Sequence, residues 1–154
     1  MSNIDEIEIQ LLSGKATIPT REYETDSGLD LYAAETVRIK AGENKVINTD
    51  IAMNIPKGFE AQVRNRSGKT SKTKLRVQLG TVDQSYTGSI GIMVDNVSIE
   101  KIRTNAITIF EGDKIAQLVL APVETPKVKV VENFESTGAR GDKGYGSSDK
   151  KEDN

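Results

Sequence analysis

The sequence predicts an all-β fold. Its apolar residues recur at every second position in four separate stretches, the period of a strand with one buried face. Turn-forming residues separate those stretches at the short intervals expected of a sandwich or small barrel. A chain of 154 residues also fits one ordinary domain with a single core.

The elements follow in chain order. DSGLDLYAAE at residues 26–35 reads as strand with a turn. Val37 and Ile39 form the first alternating pair, and KAGEN at residues 40–44 turns the chain. Val46, Ile51 and Met53 form the next set, which IPKG at residues 55–58 separates from Phe59, Ala61 and Val63. This strand ends at Arg66. Residues 67–75, SGKTSKTKL, lack the alternation and predict a short helix whose first turn Ser67 would cap. QSYTG at residues 84–88 turns the chain again, and Ile90, Ile92 and Val94 alternate beyond it. NVSIEKIRTN at residues 96–105 is either an ordinary connection or added surface. EGDK at residues 111–114 then opens a last strand through IAQLVL. After residue 131 aliphatic residues become sparse and Gly, Ser and charge dominate. The expected division is a β domain over residues 1–131 and a flexible carboxyl-terminal arm over residues 132–154, too poor in apolar surface to order itself.

Composition narrows the chemistry. With 21 basic and 23 acidic residues the chain has no overall field that would draw it to nucleic acid or an anionic membrane. No apolar run approaches the ~18 residues of a membrane span, and MSNIDEIEIQ lacks the basic-then-apolar order of a secretory signal, so a cytoplasmic location is expected. The chain has neither His nor Cys, which removes imidazole bases, thiolate nucleophiles, disulfides and thiolate zinc sites. Proton transfer would fall to a carboxylate, Lys or Tyr, and a metal would be a hard, oxygen-bound cation such as magnesium.

Five segments could carry that chemistry. In RGDKGYGSS the glycines free the backbone for close approach, Arg140 offers a forked donor for phosphate and Tyr145 a flat face for a base. Composition alone fits a solvated tail equally well. In VRNRSGKTSK a strand ends at Arg66 and a helix start follows, either a phosphate corner or simply a basic turn; it lacks the Walker spacing. In LGTVDQSYTG, Asp83 is either a turn former or an eligible general base, with Tyr86 beside it as a stacking surface. DSGLDLYAAE and EGDKIAQLVL read as strand and turn, interrupted by the polar Asp30 and Gln117.

Taken in order, SGLDLYAA, RSGKTS, GTVDQSYTGSI, GDKIAQLVL and RGDKGYGSS resemble the five motifs of the homotrimeric deoxyuridine triphosphatase (dUTPase) family, across residues 27–148. The resemblance implies a distorted jelly-roll-like β-barrel of the β-clip type. It also implies Mg2+-assisted attack of water on the α-phosphorus of dUTP, giving dUMP and pyrophosphate, which limits uracil in DNA and supplies dUMP for dTMP synthesis. Asp83 would be the base, Tyr86 the gate against a ribose, and the backbone of Gln78, Gly80, Thr81 and Val82, in a hairpin leading to Asp83, the uracil contact. Arg66, Ser67, Gly68 and Gln117 would hold phosphates, and Asp30 would meet magnesium through water. Arg140, Tyr145, Gly146, Ser147 and Ser148 would close as a lid. Sites shared among three subunits are implied as well.

Departures from the family pattern are Lys69–Thr70 where Leu-Ala is common, Val77, Thr87, Tyr145 in place of Phe, Lys143 and Asp149. Two rival readings are a dCTP deaminase and a dUTPase that also binds a regulatory protein. The first would need a glutamate in LRVQLGTVDQSY, which contains none; the second has only residues 96–105 as added surface.

Overall fold

The computed structural model describes residues 4–135, 138 and 141. The expected lid residues Arg140, Tyr145, Gly146, Ser147 and Ser148 therefore lie outside the described residues. Residues up to Glu124 form one compact unit, and a second begins at Thr125. Among the described residues of the second unit there is no strand or helix, and Val128 and Val130 are almost fully exposed.

Eleven strands make up the first unit among the described residues. They are β1 (Glu8–Leu11), β2 (Leu29–Tyr32), β3 (Val37–Ile39), β4 (Asn44–Asn48), β5 (Ile51–Asn54), β6 (Phe59–Asn65), β7 (Leu75–Val77), β8 (Gly80–Val82), β9 (Gly91–Asn96), β10 (Ile107–Ile109) and β11 (Lys114–Pro122). All pairings are antiparallel, in sheets ordered β2-β11-β6-β8, β4-β9-β7, β1-β5 and β10-β3. The sheets share one core rather than one closed ring of hydrogen bonds. Leu31, Ile39, Ile47, Ile51, Ile92, Ile109, Ile115 and Leu118 are at most 1% exposed, and each contributes about 1.5–3 kcal/mol by leaving water. β-branched residues dominate this set, as a pleated surface prefers.

Most of the period-two expectation holds, since Ala61 and Val63, then Ile90, Ile92 and Val94, are buried. Val46 is the exception. In β4 the buried residue is Ile47, while Val46 faces outward beside Met93 and fills the space that a Cβ on Gly91 would need. Adjacent apolar residues in NKVIN leave the phase of alternation undetermined by sequence.

The helix is shorter than expected, α1 (Ser67–Lys72), and none of its residues is buried. Its N-cap is Arg66 and it has no side-chain cap, so Ser67 lies inside the first turn instead of capping it. Leu75 leaves the helix because it is 2% exposed in the core and pairs with Asn96 in the β7–β9 ladder. Burial outweighs the weak helix preference of an exposed six-residue segment. The expected hairpin before Asp83 is also absent: β7 pairs with β9 and β8 with β6, so Gln78 and Leu79 form a corner between two sheets.

Residues 96–105 are pinned at one point. Buried Asn96 donates to the carbonyls of Ile39 (3.1 Å) and Asn105 (2.8 Å), and its Oδ1 accepts from the Ser98 amide (3.1 Å). Between these ties Ile99 is 94% exposed, and a 3-10 turn, Arg103–Asn105, closes the segment.

Candidate active site

A row of polar residues crosses three strands at one end of the largest sheet: Asp30 on β2 faces Gln117 on β11, which faces Arg64 on β6. The β2–β11 register shifts between Lys114 and Ala116, and Ile115 and Ala116 are both fully buried. Lys114 and Gln117 would face opposite sides of an uninterrupted strand. The bulge adds one residue and turns both toward Asp30.

Asp30 is held by two cations. Its Oδ1 lies 2.9 Å from Arg66 Nε and its Oδ2 lies 2.9 Å from Lys114 Nζ, with the carboxylate 13% exposed. Lys114 also reaches Glu22 at 3.5 Å and lies 5.9 Å above the Tyr32 ring. The Asp30 hydrogen bond raises the Lys114 ammonium above the ordinary lysine value of 10.5, outweighing the opposing effect of desolvation. The Asp30 amide donates to the Thr20 carbonyl at 2.7 Å, which fixes the backbone behind the carboxylate. Gln117 Nε2 donates to the Asn65 carbonyl at 2.9 Å. Its side chain fills the space beside Gly28, where a Cβ would overlap Gln117 Oε1.

Gly28, Asp30, Arg66 and Gln117 wall a cleft of about 790 Å3, completed by Ser67, Gly68, Lys69 and Lys72 of α1, by Thr73 at its C-cap and by Glu22, Asp26 and Ser27. Asp30, Arg66, Ser67, Gly68 and Gln117, the phosphate and magnesium residues that the resemblance implies, thus line one cleft. Lys114, Lys72 and Glu22 were not among the expected site residues. Lys114 stands in the quoted GDKIAQLVL segment, but its place depends on the bulge, for which the sequence carries no separate signal.

The remaining expected residues occupy a different ledge. β8 pairs with β6 through Val63–Gly80, Gln62–Thr81 and Ala61–Val82, so Asp83 emerges at the start of β6 and Arg66 at its end. At about 3.3 Å per residue, the two are separated by about 20 Å along the strand. Asp83 is exposed at the head of a turn in which the Tyr86 amide donates to its carbonyl at 2.9 Å. The Tyr86 hydroxyl donates to the Ser89 carbonyl at 2.9 Å, and its ring lies over Gly88, where a Cβ would fall 2.7 Å from the phenolic oxygen. Gln78 is fastened through its amide to the Met93 carbonyl (2.9 Å) and through Nε2 to Asp95 (2.9 Å). Gly80, Thr81 and Val82 extend from that anchor to Asp83.

Among the described residues no three carboxylates converge as a metal cage, and no helix is long and apolar enough to cross a membrane. A family model described as dUTPase matches residues 14–149, most of the chain. The chain belongs to the dUTPase family. A deoxyuridine 5'-triphosphate nucleotidohydrolase of Crocosphaera subtropica is 41% identical over 145 residues, covering 93% of this chain and 98% of the relative. Among solved structures, the Staphylococcus bacteriophage 80alpha dUTPase with dUPNHPP superposes with a TM-score of 0.88 at 38% identity, covering 94% of this chain and 99% of that one. That phage protein is described as controlling transfer of virulence genes. The dUTPase of phage phi11 of S. aureus, described with a coordinated structural Mg(II) ion, has a TM-score of 0.80 at 36% identity and covers 86% of this chain and 100% of its own. As a dUTPase family member, the chain carries the family's jelly-roll-like β fold, here as four small sheets about one core.

Proposed function

We propose that this protein hydrolyses dUTP to dUMP and pyrophosphate in sites assembled from more than one copy of the chain, with Asp83 as general base. The observation that carries this reading is the placement of Asp83 and Arg66 at opposite ends of β6, about 20 Å apart. A base must lie within hydrogen-bond reach of the proton it takes, or one water away. Within one chain, a triphosphate held at Arg66 is out of reach of Asp83. A homotrimer that sets the Asp83 ledge of one copy against the Arg66 cleft of the next supplies both.

In that joint site Asp83 takes a proton from the attacking water, and Tyr86, held by Ser89, closes the space beside the sugar. The backbone of Gln78, Gly80, Thr81 and Val82 reads the uracil edge from a corner anchored on Met93 and Asp95. Arg66, oriented by Asp30, presents its guanidinium to the phosphates with the unpaired first-turn amides around Ser67 and Gly68, while Gln117 borders the same cleft. In RGDKGYGSS, Tyr145 would stack on the base, and Arg140, Gly146, Ser147 and Ser148 would grip the outer phosphates. Magnesium fits as part of the substrate, because the carboxylates among the described residues form no cage and both oxygens of Asp30 already face cations, which leaves contact through water. Bound to the nucleotide, it neutralises phosphate charge. The reaction supplies dUMP for dTMP synthesis and, by removing dUTP, limits uracil incorporation into DNA.

Pyrophosphate release from dUTP, UTP, dTTP and dCTP tests the reaction: dUTP alone should be cleaved, and Asp83→Asn should lose about 10²–10⁴-fold in rate. Sharing is tested by co-refolding Asp83→Asn with Arg66→Gln. Each alone should be inactive and the mixture should regain activity; a mixture as inactive as its parents would sink the shared site.

A further inference from the structure

Lys69 and Lys72 lie three residues apart on α1, and Thr73 follows four after Lys69, so the three share one helix face. That face lines the cleft beside Arg66. The helix has no buried residue, yet it is tied at both ends. Asn65 donates to Thr70 Oγ1 at 3.1 Å, and Arg76 donates to the carbonyls of Thr70 (3.1 Å) and Thr73 (2.8 Å). Neither lysine forms an ion pair among the described residues, whereas Arg66 gives its Nε to Asp30.

The charge balance of the wall turns on them. The lining acids are Glu22, Asp26 and Asp30, and the lining cations are Arg66, Lys69 and Lys72. Without the two lysines, the three carboxylates would be met only by the Arg66 guanidinium and by Lys114, which pairs with Asp30 and Glu22, and a polyphosphate would find no net positive charge on this wall. With them, two uncommitted ammonium groups stand on the cleft side of a fixed helix.

We propose that Lys69 and Lys72 form a polyphosphate subsite in this cleft, which grips the terminal phosphates of the nucleotide and binds inorganic pyrophosphate or triphosphate without a nucleoside. This rests on the reading that Arg66 marks the phosphate cleft. The predicted consequence is inhibition by the inorganic product. Compact ammonium groups suit this role, because they act as point charges on phosphates of variable geometry.

The test is calorimetric titration of the full chain with inorganic tripolyphosphate, magnesium-free, at low and moderate salt. Comparison is with Lys69→Leu/Lys72→Gln and with the charge-matched control Lys57→Gln/Lys101→Gln. Wild type and control should bind, and the cleft variant should lose about tenfold or more in affinity and most of its salt dependence, with an unchanged melting temperature. The same variant should show a higher inhibition constant for pyrophosphate in dUTP hydrolysis. Equal binding by the cleft variant and wild type, or no binding by wild type, would overturn the subsite. Wild type that binds tripolyphosphate but does not hydrolyse dUTP would instead overturn the proposed reaction and leave the subsite standing.

Discussion

Asp30 is best understood through what its two oxygens touch. Arg66 and Lys114 divide its charge, and Lys114 keeps Asp30 from claiming the whole guanidinium. In Lys114→Met the carboxylate should turn fully to Arg66 and withhold it from phosphate. The KM for dUTP should rise roughly threefold to tenfold with a smaller change in kcat, measurable by steady-state kinetics. The Lys114 value is raised above 10.5 in the folded chain, so its stabilisation is complete below that pH and disappears as pH rises through the raised value. The stability difference between wild type and Lys114→Met, followed by urea unfolding, should therefore shrink only above about pH 10.5. None of this pairing was legible in the sequence. Asp30, Arg66 and Lys114 are scattered along it, and their meeting depends on strand register.

Turns and strands differ in how openly the sequence displays them. KAGEN, IPKG and EGDK are turns as read, with Gly42, Gly58 and Gly112 at φ values of 74°, 82° and 87° that disfavour other residues. In the first, the Glu43 carboxylate accepts from the Lys40 amide at 2.8 Å, and this bond lowers its pKa from the ordinary 4.5. The turn's contribution should be present above pH 4.5 and fade as pH falls through the lowered value. A carboxyl NMR titration should place Glu43 below the ordinary 4.5, and Glu43→Gln should remove the turn's pH dependence. What the sequence hides is partnership. β7 and β8 are neighbours along the chain, where the family resemblance implies a hairpin, yet they separate into different sheets because Leu75 is drawn into the core. The bulge in β11 is hidden for the same reason, since it is defined by the opposing strand.

The whole molecule rests on one core serving several short sheets, so local damage should be felt everywhere. Ile92 is fully buried at the centre of the β4-β9-β7 sheet. Ile92→Ala should cost about 2–5 kcal/mol in a single cooperative transition, read by urea denaturation with coincident probes. The class of fold was legible because alternation is local. The placement of Asp83 and Arg66 at opposite ends of β6 was not, because it depends on which strand pairs with β8.

That distance along β6 reaches beyond enzymology into inheritance. If every pocket borrows its base from a neighbour, an Asp83→Asn polypeptide spoils the pocket it serves on another subunit and leaves intact the one built on its own Arg66. Co-expressing Asp83→Asn chains with intact ones should therefore lower activity only in proportion to the altered chains. Two alleles of this gene, one damaged at each ledge and each inactive alone, would complement one another in a single cell.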